Sequence, residues 1–446
     1  MSDNETSTID EALPPASAPA TLSFRRSEPE GLRILYLCHR TPFPPNKGDK
    51  LRAFHQIRAL SKRHRIDLLT LADQAEDMER TKPLLQWCER VEAFRIHRSA
   101  GYLRSALGAL SRRPLSLAFF ESGALARRVA ELAAAEHYDV VLAYSSSMAP
   151  YAELVPDVPK VLDMGDVDSA KWVQYARFSS FPKRQIYALE ARRLAAYEAE
   201  VSRRMARVVL VTSQETALLQ KAVPEAPAVT VPNGVDFEFF RPLELPRAEV
   251  PTLVFTGQMD YFANVDGVTW FARQVFPGLR ARFPDVEFLI VGRNPAPAVR
   301  ALADLPGVTV TGTVGDVRPF LARSWVFVAP LRIAQGVQNK VLEAMASELP
   351  VACTGRVFAG LGDGGFRPDE DLVAADDPAA LRDGIARLLG DADLRRATAE
   401  RARRKLAAAF TWDHNLESME RVLTDAVHAD RQVRPRPSRA EGVQSA

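Results

Sequence analysis

From Leu32 onward, short runs of consecutive apolar residues alternate with longer stretches in which apolar residues recur at helical spacing. The short runs read as strands buried on both faces and the longer stretches as amphipathic helices. LRILYLC at Leu32 is the first such strand; the Pro-rich loop TPFPPNKGDK follows, then a helix carrying Leu51, Phe54, Ile57 and Leu60 on one face. Further strands are predicted at Ile66–Leu71, Val91–Ile96, Val140–Ala143, Val161–Leu162 and Val208–Thr212. Ile186, Leu189, Leu194, Tyr197, Val201 and Met205 predict one long amphipathic helix over Arg184–Met205. A turn at Asn233-Gly234 and the polar, Pro-bearing stretch LELPRAEVP read as the way out of a first domain. The same rhythm then restarts. Strands are predicted at TLVFTG, VEFLIVG, VTVTG, VFVAP and PVACT, with helices at Val265–Phe276, Ala296–Leu302, Val317–Ala322, Gln338–Ser347, Ala379–Leu389 and Asp393–Phe410. The alternation predicts an α/β chain of two Rossmann-like, doubly wound domains with a cleft between them. The expected boundaries are 31–245 and 250–410, with a closing helix over 411–428 returning to the first domain and disordered tails at 1–30 and 430–446.

The chain has 446 residues, 47% hydrophobic and 26% charged, with a formal charge of +2. Its length fits two cores, and its charge carries no polyanion signature, so nucleic acid is not an expected partner. Cys38, Cys88 and Cys353 lack the spacing of a disulfide framework or a zinc site, which fits a reducing compartment. No apolar stretch is long enough to span a bilayer, and the acidic, polar start MSDNETSTIDEALPPASAPA is unlike a signal peptide. A cytoplasmic protein is expected, peripheral on the inner face of the membrane if it meets lipid.

In open parallel sheets, ligands collect at the carboxyl ends of strands, where helix starts present free amides and positive partial charge. The stretch PLRIAQGVQNKVLEAMASELPV has that form: a strand ending at Pro330, a loop at Gly336, and a helix from about Gln338 with Lys340 in its first turn. A lysine there opposes the helix dipole unless an anion engages both. Glu343, one turn on, could accept from ribose hydroxyls while Lys340 faces a diphosphate; the alternative is a surface ion pair between the two. In the first half, Gly48 permits close approach to a ligand, Asp49 reads as acceptor-side or as a plain N-cap, and Arg52 is expected to reach the cleft. DMGDVDSAKW places Asp163, Asp166 and Asp168 after a strand, facing the expected cleft. Asp166 or Asp168 is the candidate to orient or deprotonate an acceptor hydroxyl; the alternative is a solvated loop capping the next helix. YLRSALGALSRRPLSLAFF sets Leu103, Leu107 and Leu110 beside Arg104, Arg112 and Arg113, which fits an anionic lipid surface or equally a stripe turned to the core. His39, His55 and His64 show no partner pattern.

TPFPPNKGDKLRAFHQIRAL, LDMGDVDSAKW, VTSQETALL with VPNGVDFEFF, FTGQMDYFANVDGVTWF and APLRIAQGVQNKVLEAMASELPV together resemble the retaining family 4 glycosyltransferases of the GT-B fold, over almost all of Leu32–Leu423. Within that family they are most similar to enzymes of PEP-CTERM/exosortase exopolysaccharide systems. The resemblance implies transfer of a sugar from a nucleotide diphosphate sugar to a glycan or lipid-linked acceptor, without metal or other cofactor. It implies a donor site of Gly257, Arg293, Thr313, Val314, Gln335, Gly336, Val337, Gln338, Lys340 and Glu343, with main-chain contact to the base at Thr313 and Val314. Lys340 neutralises the leaving group. The chain departs from the family pattern in four places. Gln335 stands where a glutamate is usual, Glu348 replaces a helix-ending glycine, and the loop after TLVFTG offers Gln258 and Asn264 in place of arginine and lysine. A histidine usual near DMGDVDSAKW is also absent. Two rival readings are a nicotinamide oxidoreductase, disfavoured because neither first strand is followed by GxGxxG, and a GT-B binding or scaffold protein without activity.

Overall fold

The computed structural model describes residues 22–23, 31–45, 48–97, 99, 101, 104–105 and 113–434. Most of the expected N-terminal tail, the end of the C-terminal tail and most of the Leu103–Arg112 stripe therefore lie outside the described residues. The first sheet holds eight strands: β1 (Leu22–Ser23), β2 (Arg33–Cys38), β3 (Arg65–Ala72), β4 (Arg90–Arg95), β5 (Val140–Tyr144), β6 (Lys160–Gly165), β7 (Arg207–Leu210) and β8 (Ala228–Thr230). Their order is β1-β4-β3-β2-β5-β6-β7-β8, parallel throughout except for the antiparallel edge pair β1–β4. The second sheet holds β9 (Thr252–Thr256), β10 (Glu287–Val291), β11 (Val308–Gly312), β12 (Val326–Ala329), β13 (Val351–Cys353) and β14 (Val373–Ala374), in the order β11-β10-β9-β12-β13-β14. Both orders reverse direction beside their first major strand, between β2 and β5 and between β9 and β12. That is where open sheets leave a crevice at the strand ends.

The strands form where the apolar runs predicted them because both faces are covered: every residue of β2 after Arg33 is buried, as is all of β5. Three strands were not legible. β8 is a half-buried edge strand, while β1 and β14 are two residues long; such pieces carry too few side chains to show a period.

The helices that bear on the site are α1 (Gly48–Leu60), α2 (Asp168–Arg177), α3 (Lys183–Ser202), α4 (Ser213–Ala222), α5 (Phe262–Gln274), α6 (Asn339–Ala346), α7 (Ala392–Ala409) and α8 (Trp412–Val433). α8 lies against α1, and Leu416, Met419 and Leu423 share a core with Phe54, Ile57 and Leu60. α8 runs three residues past Asp430, where the tail was expected to begin. Two features of α3 depart from expectation. It is capped near Ser202, and Ile186, expected on its core face, is exposed while Leu194 and Val201 are buried.

The crossing between the sheets is fixed at Asn233-Gly234. A Cβ on Gly234 would stand 2.3 Å from the Trp412 amide nitrogen, so only glycine lets this strand of chain pass the start of α8. Val235 then donates to the Phe410 carbonyl at 2.9 Å and packs in the second core. Asn415 closes the crossing from α8, donating to the Asn233 carbonyl at 3.0 Å.

Candidate active site

The site lies at the switch point of the second sheet. The β9 and β12 loops meet there, and α6 starts. α6 is amphipathic, burying Val341, Leu342, Met345 and Ala346, so its first turn is held rigidly at the crevice. Lys340 turns inward, donating from Nζ to Asn264 Oδ1 at 2.7 Å and standing 4.3 Å from the centre of the Phe255 ring. A Cβ on Gly257 would fall 2.9 Å from the same Nζ. No carboxylate pairs with Lys340 among the described residues, and it forms no surface ion pair with Glu343. Burial holds its ammonium down at about 7, partly countered by Glu343. Burial likewise lifts Glu343 to about 7, against the opposing pull of Lys340. Glu343 lines a small cavity shared with Leu51, His55, Asp236 and Trp412, bounded by both halves of the molecule.

The Gly336 loop is pressed against the first domain. Gly336 has a φ of +56°, and a Cβ there would lie 2.0 Å from Asp166 Oδ1. Both facts require glycine. Gln335 is gripped from two sides: its Oε1 accepts from Gln174 Nε2 on α2 at 2.6 Å, and its Nε2 donates to Glu215 Oε1 on α4 at 2.5 Å. Gln174 also donates to the Ala334 carbonyl at 3.3 Å. Glu215 accepts from the Val167 amide at 2.8 Å and from the Gly336 amide. Gln338 donates to the Gln335 carbonyl at 3.0 Å, and Val337 packs on the second core.

Asp166 Oδ1 is buried without a hydrogen-bond partner. Burial, reinforced by Glu215 and Asp168, raises its carboxyl to about 7. Asp168 opens α2, its carboxylate 3.8 Å from Lys171 Nζ. Behind it, burial and Asp168 lift Glu198 to about 8 while Ser169 hydrogen-bonds to it.

Several expected positions fall elsewhere. Arg52 does not open on the cleft: its side chain is 1% exposed and donates from Nε to Asp163 Oδ2 at 2.8 Å and from Nη1 to Asn233 Oδ1 at 2.9 Å. Asp163, expected to face the cleft, is the buried partner in β6 and also accepts from Gln56. The reason is register. β6 continues three residues past its predicted end at Leu162, so Asp163 stays inside the sheet. Gly48 does reach the second half, its absent Cβ lying 3.6 Å from Asn339 Nδ2, and Asn339 in turn accepts from Asn233 at 3.1 Å. Asp49 sits in the first turn of α1, with its side chain outside the described residues. Arg293 lies against the Gln258 side chain beside Gly257; with that amide assigned so that its oxygen faces the guanidinium, it accepts from Arg293 at 3.0 and 3.1 Å. Thr313 is exposed and Val314 half-buried, after β11 at the sheet edge. Glu348 ends α6 at a φ of +54°, tied by its carboxylate to Arg403 at 3.3 Å. This left-handed turn costs about 1–2 kcal/mol for a residue with a Cβ. His55 stacks on Trp412 at 4.4 Å, and burial lowers it to about 4.

Sequence reasoning missed Glu215 and Gln174. The only local signal was Thr212, whose hydroxyl caps Glu215 and so marks it as the third residue of a helix starting at a strand end.

Residues 250–391 match the family described as glycosyl transferases group 1. A phosphatidyl-myo-inositol mannosyltransferase of Mycolicibacterium smegmatis is 35% identical over 188 residues, 39% of this chain. That match spans 46% of the relative, less than half of its length. Among solved structures, sucrose-phosphate synthase from Thermosynechococcus elongatus is similar at a TM-score of 0.68 and 18% identity, over 89% of this chain and 100% of that one. Anabaena HepE in complex with UDP and glucose has a TM-score of 0.63 at 13% identity, over 88% and 100%. WaaG, a glycosyltransferase involved in lipopolysaccharide biosynthesis, has 0.59 at 17%, over 88% and 99%. At such identities the structural likeness speaks to fold. The chain therefore has the GT-B fold, and over residues 250–391 its second domain is similar to the glycosyl transferases group 1 family.

Proposed function

We propose that the protein moves a sugar, with retention, from a nucleotide diphosphate sugar to a glycan or lipid-linked acceptor. The observation that carries this reading is Lys340: a cation in the first turn of a helix, at the switch point, held by an amide and an aromatic face and paired with no carboxylate among the described residues. A desolvated ammonium without a counter-ion is costly, and a diphosphate at the α6 start would offset that cost while gaining the free amides and the dipole. The departing diphosphate is thus stabilised where negative charge develops. Neither a metal nor another cofactor enters this scheme. Asp166, neutral below about pH 7, orients the acceptor hydroxyl and takes its proton once ionised. The likeness of LDMGDVDSAKW and its companion stretches to exopolysaccharide enzymes supports placing the product in exopolysaccharide assembly.

A thermal-shift panel of UDP, GDP, ADP and TDP, alone and as sugar conjugates, tests the site. One diphosphate raises the melting temperature of wild type and much less that of Lys340→Ala; equal shifts move the site elsewhere. A second reading, donor binding without transfer, draws on the Gln335 side chain being occupied by Gln174 and Glu215. Slow hydrolysis of the recognised donor in the absence of acceptor counts against it.

A further inference from the structure

Of the ten large apolar side chains most exposed among the described residues, six belong to the α2–α3 hairpin or to the start of α5 that it touches: Val173, Phe178, Phe181, Ile186, Tyr261 and Phe262. Phe181, at the hairpin tip, is 78% exposed, and Ile186 beside it 48%. The base of the hairpin is well packed. Trp172 and Tyr187 lie 5.3 Å apart, Tyr175 meets Phe262 at 5.6 Å, and the Tyr175 hydroxyl bonds to Tyr261 at 2.7 Å. The exposed apolar tip is therefore carried on a fixed stem.

The charge carried by the hairpin tip itself has one sign. From Trp172 to Leu189 the sequence has no Asp or Glu, yet it holds Arg177, Lys183 and Arg184. All three are exposed, and none pairs with a carboxylate among the described residues. Arg332 adds a third guanidinium, 5.2 Å from the Phe178 ring, but its charge is matched by Asp266, to which its Nε donates at 3.0 Å, so it does not count toward the unpaired collar. The first acidic residue beyond, Glu190, is buried and consumed by the Leu115 and Ser116 amides and the Ser116 hydroxyl. Isolated exposed apolar residues are ordinary; an aromatic tip inside an unpaired basic collar is the pattern that inserts among acyl chains while cations engage anionic headgroups.

We propose that the α2–α3 tip docks on a bilayer containing anionic phospholipid, and that the acceptor is a hydroxyl presented from that surface. The second half deepens the transferase reading above and rests on it. Its geometric warrant is Gln174, which holds Ala334 and Gln335 of the donor loop and lies on α2 four residues before Phe178. Four helical residues advance about 6 Å. Seating Phe178 and Phe181 at the interface thus brings the donor loop to the membrane surface, where an acceptor on a lipid is reached without leaving the bilayer.

The test is co-sedimentation of the full chain with phosphatidylcholine vesicles with and without phosphatidylglycerol. Three proteins are compared: wild type, the double variant Phe178→Ser/Phe181→Ser, and the charge reversal Lys183→Glu/Arg184→Glu. Wild type is expected to bind the anionic vesicles and not the neutral ones, and each variant to lose about tenfold or more in partitioning. The melting temperature and the nucleotide diphosphate shift stay unchanged in both variants, which separates failure of docking from failure of the donor site. Undiminished binding by both variants, or no wild-type binding to anionic vesicles, overturns the proposal. So does light scattering that finds a wild-type dimer converted to monomer by the aromatic variant, since the tip then serves a second copy of the chain.

Discussion

The two halves of the molecule each set a cation beside the reversal point of a doubly wound sheet and use it oppositely. α1 and α6 each follow a strand beside the reversal point of a doubly wound sheet, and each carries a basic residue near its start. In α1 that residue, Arg52, is buried and matched by the Asp163 carboxylate and the Asn233 amide. In α6, Lys340 meets Asn264 and the face of Phe255 and pairs with no carboxylate among the described residues. A planar guanidinium with a carboxylate partner is fixed and its charge is matched; an ammonium without one is poised for an anion. Position in the fold does not make a residue functional. The charge that its partners leave unmatched does.

The comparison can be broken most forcefully by removing each cation. Arg52→Ala strands Asp163 as a buried unpaired carboxylate, and denaturant unfolding is expected to lose about 3–5 kcal/mol. Lys340→Ala should leave the stability of the unliganded protein unchanged or raised, while transfer drops by about 10²–10³-fold. Should Lys340→Ala unfold the protein and Arg52→Ala leave it intact but inactive, the assignment of roles is reversed.

A smaller effect is expected where the halves touch. Gln335→Glu would set two carboxylates at the 2.5 Å contact now made with Glu215, weakening donor binding by roughly tenfold, about 1.4 kcal/mol. Adding Glu215→Gln exchanges the two partners and should restore most of the loss, as measured by calorimetry on the single and double variants. Absence of rescue would mean that the Gln335–Glu215 bond does not position the loop.

The smallest effects are in pH. The Lys340 ammonium is held at about 7 before ligand binds, and a diphosphate favours the protonated form. Donor affinity should therefore fall as pH rises above about 7, by at most roughly tenfold per unit. In Lys340→Arg, whose charge does not titrate, the fall should vanish. Asp166 links pH to stability in the same direction. Its folded value, about 7, lies above the ordinary 3.8, so its stabilising contribution is complete below about pH 4 and is lost as pH rises through 7. The melting temperature of Asp166→Asn should accordingly be flatter over that window than that of wild type.

Much of this was legible locally. The apolar runs marked both sheets because parallel strands covered on two faces need no alternation. Gly336 and Lys340 stood out because a glycine loop ahead of a helix start is a local feature. Glu348 was marked as a residue without a comfortable way to end its helix, and it takes a left-handed φ. Arg52 and Asp163 were misread because their pairing joins residues far apart in the chain, and nothing in either neighbourhood encodes the other. Glu215 was missed for the same reason, as was the exposure of Ile186: an apolar residue at helical spacing looks the same whether or not the fold supplies something to cover it.

By itself the sequence determined where the backbone is extended and where it is helical, and where a glycine or a cation interrupts that rhythm, because those follow from preferences reaching only a few residues. Tertiary structure alone decided which charges are neutralised and which are left for a ligand, as with Arg52 beside Asp163 and Lys340 beside Asn264. Partners are chosen by the crossovers and by the approach of the two sheets, and the free energy of a buried charge depends on the groups brought to it rather than on its neighbours in the chain.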